Sequence, residues 1–269
     1  MLTCRLLPLA LLFAACVFPA QLRAQEAGAA KTLPAKDKFH LFLLVGQSNM
    51  AGRGKVEEQD KQPHPRVLVF NKAGEWAAAV DPLHFDKTSA GTGLGKTFGV
   101  QIAEANPGIT VGLIPCAVGG SPIESWQPGK FYKPANAHPW DDFVKRAKPA
   151  LEAGTLKGIL WHQGESDSNA KSATLYEDRL KTLIKDFRQE VGQESPFIIG
   201  QLGQFEGIAW DEHRKQVDAA QQKVAKEVPR CAFVSSTGLQ HKGDKVHFDS
   251  AGMREFGKRY ADAYLKLAK

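Results

Sequence analysis

Apolar positions along the chain follow two alternating rhythms. Phe39 to Val45 is a nearly unbroken apolar run closed by Gly46, the pattern of a strand buried on both faces of a parallel sheet. Runs of the same kind at Val67–Phe70, Thr110–Cys116, Gly158–Trp161, Phe197–Leu202 and Ala232–Ser235 predict further strands. Between them the period lengthens. Over Thr174–Val191, Tyr176, Leu180, Leu183, Ile184, Phe187 and Val191 fall at helical spacing and line one face. Leu94–Ala105, Trp140–Ala153, Asp211–Val228 and Ser250–Ala268 repeat that pattern, the last with a core stripe of Met253, Phe256, Tyr260, Tyr264 and Leu267. Strands alternating with helices demand right-handed parallel crossovers. The prediction is therefore an α/β fold, a three-layer doubly wound (flavodoxin-like) mostly parallel sheet. The long loops near residues 71–93 and 127–139 have room to shape a pocket.

The first residues break the pattern. Arg5 precedes the apolar stretch Leu6 to Val17, and Ala20 and Ala24 offer small residues for cleavage, which predicts a secretory signal over 1–24 and an exported protein. The stretch is shorter than the roughly 20 residues of a spanning helix. Phe13-Ala14-Ala15-Cys16 is a poor match to a lipid-attachment site at Cys16. Residues 25–37, with Ala, Gly, Lys and Pro34, read as a disordered lead-in, and 38–269 as one domain, with no repeat or change of composition to mark another. The formal charge of +6 falls to +4 without the signal, and the basic residues are scattered, which disfavours nucleic acid as a partner. Cys116 and Cys231 would remain. Export permits a bridge, but two predicted intervening strands exceed the roughly 5.5 Å Cα spacing one needs, so both are expected as buried thiols. No Cys/His cluster has zinc spacing, and no metal is expected.

Three segments carry the candidate chemistry, each where a strand should end. Ser48 follows the first strand, His162 to Asp167 follow the fourth, and Asp244 precedes His247 by three residues near the C-terminus. A serine hydroxyl needs a base to become a nucleophile, and His247 is the natural one. The three-residue spacing lets a turn set Asp244 against one imidazole nitrogen while the other faces Ser48. Ser166 is a rival nucleophile, because Gly164-Glu165-Ser166-Asp167-Ser168 comes closer to a Gly-x-Ser-x-Gly elbow than the segment around Ser48 does. His241 is an alternative base.

Phe39 through Gly54, with Gly46-Gln47-Ser48-Asn49-Met50-Ala51-Gly52, resembles the first block of the SGNH/GDSL hydrolase superfamily, in the branch of sialate O-acetylesterase-like and carbohydrate esterase family 6 enzymes. Pro115 to Trp126 resembles its glycine block, Trp161 to Asp167 its third block, and Asp244-x-x-His247-Phe248 its last; the likeness spans about residues 39–265. The resemblance implies a Ser-His esterase that removes acetyl groups from sugars without metal or organic cofactor. By that resemblance Ser48 attacks, His247 is base and then acid, and Asp244 orients His247, with Glu165 as the alternative acid partner. The oxyanion is expected on the N–H groups of Ser48 and of Gly119 or Gly120, together with the Gln163 side-chain amide. Trp126 is a candidate platform for a sugar face. Asn49 and His162 are carried with it as candidate substrate contacts, although His162 would by default be a hydrogen-bonded residue behind the site.

The expected protein is an exported carbohydrate O-acetylesterase acting on acetylxylan or O-acetylated sialic acid, with no membrane span and a monomer by default. The alternatives are a non-catalytic sugar-binding domain of the same fold and a short-chain esterase for other substrates. A lipase would want a broad apolar rim, whereas the loops here are rich in Lys, Asp, Glu, Gly and Trp.

Overall fold

A computed structural model describes residues 32–269, so the expected signal over 1–24, the Cys16 site and residues 25–31 lie outside the described residues. The strands are β1 (Phe39–Gly46), β2 (Val67–Phe70), β3 (Trp76–Ala78), β4 (Thr110–Pro115), β5 (Thr155–His162), β6 (Phe197–Gly200) and β7 (Cys231–Val234). They form one sheet of order β3-β2-β4-β1-β5-β6-β7, parallel throughout except for β3, which returns antiparallel beside β2. β3 lies in the segment read from sequence as a loop. Its three residues are too few to show a period.

The helices are α1 (Ser48–Ala51), α2 (Leu94–Ala105), α3 (Pro139–Ala153), α4 (Tyr176–Glu190), α5 (Glu212–Glu227) and α6 (Ser250–Leu267). β1 shows why both faces must be covered. Phe39, Leu41, Leu43 and Val45 pack into the layer holding α3, α4 and α5, while Phe42 and Leu44 pack with α1, α2 and α6. A strand so placed has no polar face, hence its unbroken apolar run. Lys36 and Asp37, at the end of the expected lead-in, belong to a 3-10 turn whose Lys36 carbonyl accepts from Thr155 Oγ1 at 3.1 Å. Among the described residues no helix is long and apolar enough to cross a membrane.

Cys116 and Cys231 are free thiols. Three strands, β1, β5 and β6, separate them rather than two, which at about 4.8 Å per step puts a bridge far out of reach.

A buried charge cluster ties α6 to the first crossover. Arg254 Nη1 donates to both Asp60 carboxylate oxygens at 3.0 Å, and Thr92 Oγ1 donates to Asp60 Oδ2 at 2.9 Å. Asp81 sits beside this cluster, where the Lys96 charge, the Gly93 N–H at 3.4 Å and the Leu83 backbone favour its ionised form. Burial, and then the Asp60 charge, push its carboxyl up to about 8. A carboxyl that holds its proton more tightly folded than unfolded contributes stability at low pH and loses it as pH rises toward the folded value. Urea midpoints are therefore expected to fall between about pH 5 and pH 8, and Asp81→Asn is expected to flatten that decline.

Candidate active site

Ser48 opens α1 one residue after β1, at the C-terminal edge of the sheet. Its Oγ lies 2.9 Å from His247 Nε2, and His247 Nδ1 lies 2.7 Å from Asp244 Oδ2. An ionised carboxylate can only accept, so Nδ1 carries the ring proton and donates it to Asp244. Nε2 is then the acceptor of the Ser48 hydroxyl. Asp244 Oδ1 accepts the backbone N–H groups of Val246 at 3.0 Å and His247 at 2.8 Å. Partial burial alone would raise the Asp244 carboxyl. The bonds from the His247 backbone and ring and from Val246 outweigh it and hold the group well below the usual carboxylate range.

The loop that carries this pair is fastened on several sides. Lys242 N–H donates to His247 O at 2.9 Å and Asp249 N–H to Gln240 O at 3.0 Å. The Asp249 side chain caps α6 by accepting the Gly252 N–H at 2.6 Å, which sets where the loop stops and the helix starts. Asn49 brackets His247 from below: its Nδ2 donates to Val246 O at 3.1 Å, and its Oδ1 accepts the Phe248 N–H at 3.3 Å. Glu165 Oε1 accepts from the same Asn49 Nδ2 at 2.6 Å. Asp244 is thus the carboxylate on the histidine ring, whereas Glu165 reaches the histidine loop only through Asn49.

Several sequence expectations change here. Gln163 is fully buried, and its Nε2 donates inward to Asp167 Oδ2 at 2.6 Å and to Gln47 Oε1 and Ser121 O at 3.2 Å, while its Oε1 accepts the Tyr176 hydroxyl at 2.9 Å. An amide saturated in this way is a buttress, not an oxyanion donor. The Gly119 N–H donates to Asp86 Oδ2 at 2.9 Å and is also spent. The N–H groups of Ser48 and Gly120 have no intramolecular acceptor among the described residues.

Trp126 is fully buried, edge-on to Trp161 at 5.5 Å and donating from Nε1 to Ser121 Oγ at 3.0 Å, so no ring face is open to a sugar. Asn49 and His162 are likewise fully buried and cannot touch substrate. His162 Nε2 is 3.0 Å from Gln201 O, and burial lowers the affinity of its ring for a second proton. Ser166 Oγ donates to Gly120 O at 2.8 Å and makes no hydrogen bond to a histidine among the described residues. His241 Nδ1 accepts the Gly243 N–H at 2.9 Å and shapes the loop.

Sequence reading missed Arg53, Asp86 and Tyr132. Asp86 and Tyr132 sit in the two long loops, where no period marks them, and Arg53 lies in the first block without an obvious chemical role. Beside the glycine block opens a cavity of about 450 Å³, lined by Phe70, Phe85, Asp86, Cys116, Val118 and Arg146. The Arg146 guanidinium lies 4.3 Å from the Phe85 ring centre. Among the described residues no group of three or more His, Cys, Asp or Glu side chains is placed to hold a metal ion.

Residues 38–266 match the family described as carbohydrate esterase, sialic acid-specific acetylesterase. A probable carbohydrate esterase of Arabidopsis thaliana is 28% identical over 246 residues, covering 84% of this chain and 90% of the relative. The X-ray structure of that protein superposes with a TM-score of 0.75 over 87% of this chain and 99% of its own. The structure of NanS, 16% identical, matches with a TM-score of 0.69 over 88% of this chain and 99% of its own, and shares the fold. A carbohydrate acetylesterase of Xanthomonas citri, 22% identical, matches with a TM-score of 0.67 over 85% of this chain and 56% of its own.

The burial of Trp126 has a direct consequence. Trp126→Ala should lower unfolding free energy by about 3–5 kcal/mol in urea titrations, the cost of emptying a packed aromatic site, whereas an exposed platform would cost little.

Proposed function

Because the chain belongs to the sialic acid-specific acetylesterase family of carbohydrate esterases, we propose that it hydrolyses O-acetyl esters of sugars by a serine mechanism, through an acetyl-Ser48 intermediate. The observation that carries this reading is the unbroken line from Ser48 Oγ to His247 Nε2 at 2.9 Å and from His247 Nδ1 to Asp244 at 2.7 Å. A sugar-binding domain without turnover would have no use for that alignment.

In this mechanism Ser48 Oγ attacks the acetyl carbonyl as its proton passes to His247 Nε2. Asp244, kept ionised, retains the Nδ1 proton and stabilises the imidazolium that forms. The negative oxygen is received by the N–H groups of Ser48 and Gly120. Collapse of the tetrahedral species expels the sugar alkoxide, which takes the proton from Nε2 as it leaves. A water then gives one proton to His247 Nε2 as its oxygen attacks acetyl-Ser48, and collapse of the second tetrahedral species breaks the bond to Ser48 Oγ, which takes the proton back from Nε2 as acetate is released.

The cavity of small-ligand size beside the glycine block is lined by none of Ser48, Gly120, Asp244 and His247, so it neighbours the reacting atoms rather than enclosing them. The basic and apolar residues 1–24 support export, and acetylated glycans outside the cytoplasm, acetylxylan or O-acetylated sialic acid, as substrates.

Wild type is expected to release acetate from p-nitrophenyl acetate and from at least one glycan in an acetylated panel, and Ser48→Ala to abolish both. A wild-type rate no greater than that of Ser48→Ala would refute the esterase reading. Asp244→Asn should lower kcat by roughly 10⁴-fold, because the imidazole loses its tautomer, while Glu165→Gln should cost far less. The reverse ranking would move the acid role to Glu165.

A further inference from the structure

Val118–Ser121 is a four-residue turn closed by the Ser121 N–H on Val118 O at 3.2 Å. Gly120 has φ 82°, the value of the third residue of a type II turn. With glycine at both central positions, the peptide between Gly119 and Gly120 can face either way at little cost, since no Cβ opposes the flip. Local chain preference therefore does not decide where the Gly120 N–H points. Where the turn as a whole stands relative to Ser48 is set by contacts from outside it.

Those contacts are present on both sides. Asp86 Oδ2 accepts the Gly119 N–H at 2.9 Å, and the same carboxylate is gripped by Arg53, Nη2 to Oδ2 at 2.6 Å and Nη1 to Oδ1 at 3.4 Å. Arg53 is held in turn by Nη1 donating to Gly52 O at 2.8 Å, within the segment that carries Ser48. Beyond the flexible peptide, Tyr132 Oη and Ser166 Oγ donate to Gly120 O at 2.7 and 2.8 Å. The approach is tight enough that a Cβ on Gly119 would stand 2.5 Å from Arg53 Nη2 and 2.7 Å from Asp86 Oδ2. Within the turn the Gly120 N–H, between these clamps, has no acceptor among the described residues. The Arg53 and Asp86 side chains are 4% and 5% exposed. A buried ion pair of this kind seldom stabilises a fold more than a well-packed apolar pair would, so stability alone is a poor account of it.

We propose that Asp86, held by Arg53, is a positioning residue for the oxyanion hole: its carboxylate anchors the glycine turn by the Gly119 N–H and, through Arg53 and Gly52 O, ties it to the Ser48 segment, so that the Gly120 N–H stands beside the oxygen that becomes negative during attack by Ser48. Asp86 also lines the cavity beside the glycine block. The inference rests on the esterase reading above.

Two double variants separate positioning from packing. Arg53→Met with Asp86→Asn keeps an oxygen for the Gly119 N–H; Arg53→Met with Asp86→Ala removes it; neither leaves a buried charge without its partner. With p-nitrophenyl acetate the second should fall about 10²-fold below the first in kcat, with KM within about threefold. Its affinity for methylboronic acid, which forms a tetrahedral adduct on the serine, should fall by a similar factor, while urea midpoints of the two doubles stay close. Equal kcat in the two doubles overturns the proposal, and so does a loss of kcat with boronate affinity intact. An active wild type with equal doubles removes only the role of Asp86; an inert wild type removes the esterase reading and this inference together.

Discussion

The site hangs from the parallel pairing of β1 with β4 on one side and β5 on the other. Because parallel strands run the same way, their C-terminal ends lie side by side, and the residues that follow them emerge on one edge. That edge receives Gln47 and Ser48 from β1, Cys116 to Gly120 from β4 and Gln163 to Asp167 from β5. The ladder continues past the strands: Gln47 N–H donates to His162 O at 2.9 Å and Val118 N–H to Gly46 O at 2.9 Å. Ser48 and the glycine turn are thereby held to each other through backbone bonds before any side chain contributes. The histidine comes from elsewhere, on the loop before α6, and Asn49 in α1 ties that loop to this edge through Val246 O and the Phe248 N–H.

Behind the serine lies a polar layer with little contact with water. Gln47, Gln163, Asp167, Tyr176 and Gln221 are each 3% exposed or less, and Gln163 alone engages Gln47, Ser121, Asp167, Tyr176 and, through its carbonyl, Gln221. Buried polar groups are costly unless bonded, so a network of this kind has few alternative arrangements and holds its members in one geometry. This explains how a glutamine beside the site can be essential to its shape without facing the substrate. The same burial sorts the acids. Asp167, with burial as the larger influence, is pushed up despite bonds from Ile123 N–H and Gln163, whereas Asp244, near the surface and rich in donors, is pushed down. The carboxylate beside the histidine is the one the structure keeps exposed and well bonded.

The sequence by itself determined the layers and put the candidate residues at the strand ends. The unbroken apolar run of β1 requires cover on both faces, and the helical stripes supply it, so the α/β sandwich and its edge followed from period alone. Ser48, Asp244 and His247 were legible because a turn of three residues can join acid to base, and because a serine after a buried strand must surface at that edge. Tertiary structure decided what periodicity does not encode. Three-residue β3 and the intervening strand between the cysteines depend on long-range pairing. The directions of Trp126, Asn49, His162 and Gln163 depend on which side chains meet them, and each meets enough partners to be drawn inward. Which glycine has a free N–H was open for the same reason: Gly119 and Gly120 are equivalent along the chain, and only the carboxylate of Asp86, 33 residues away, distinguishes them.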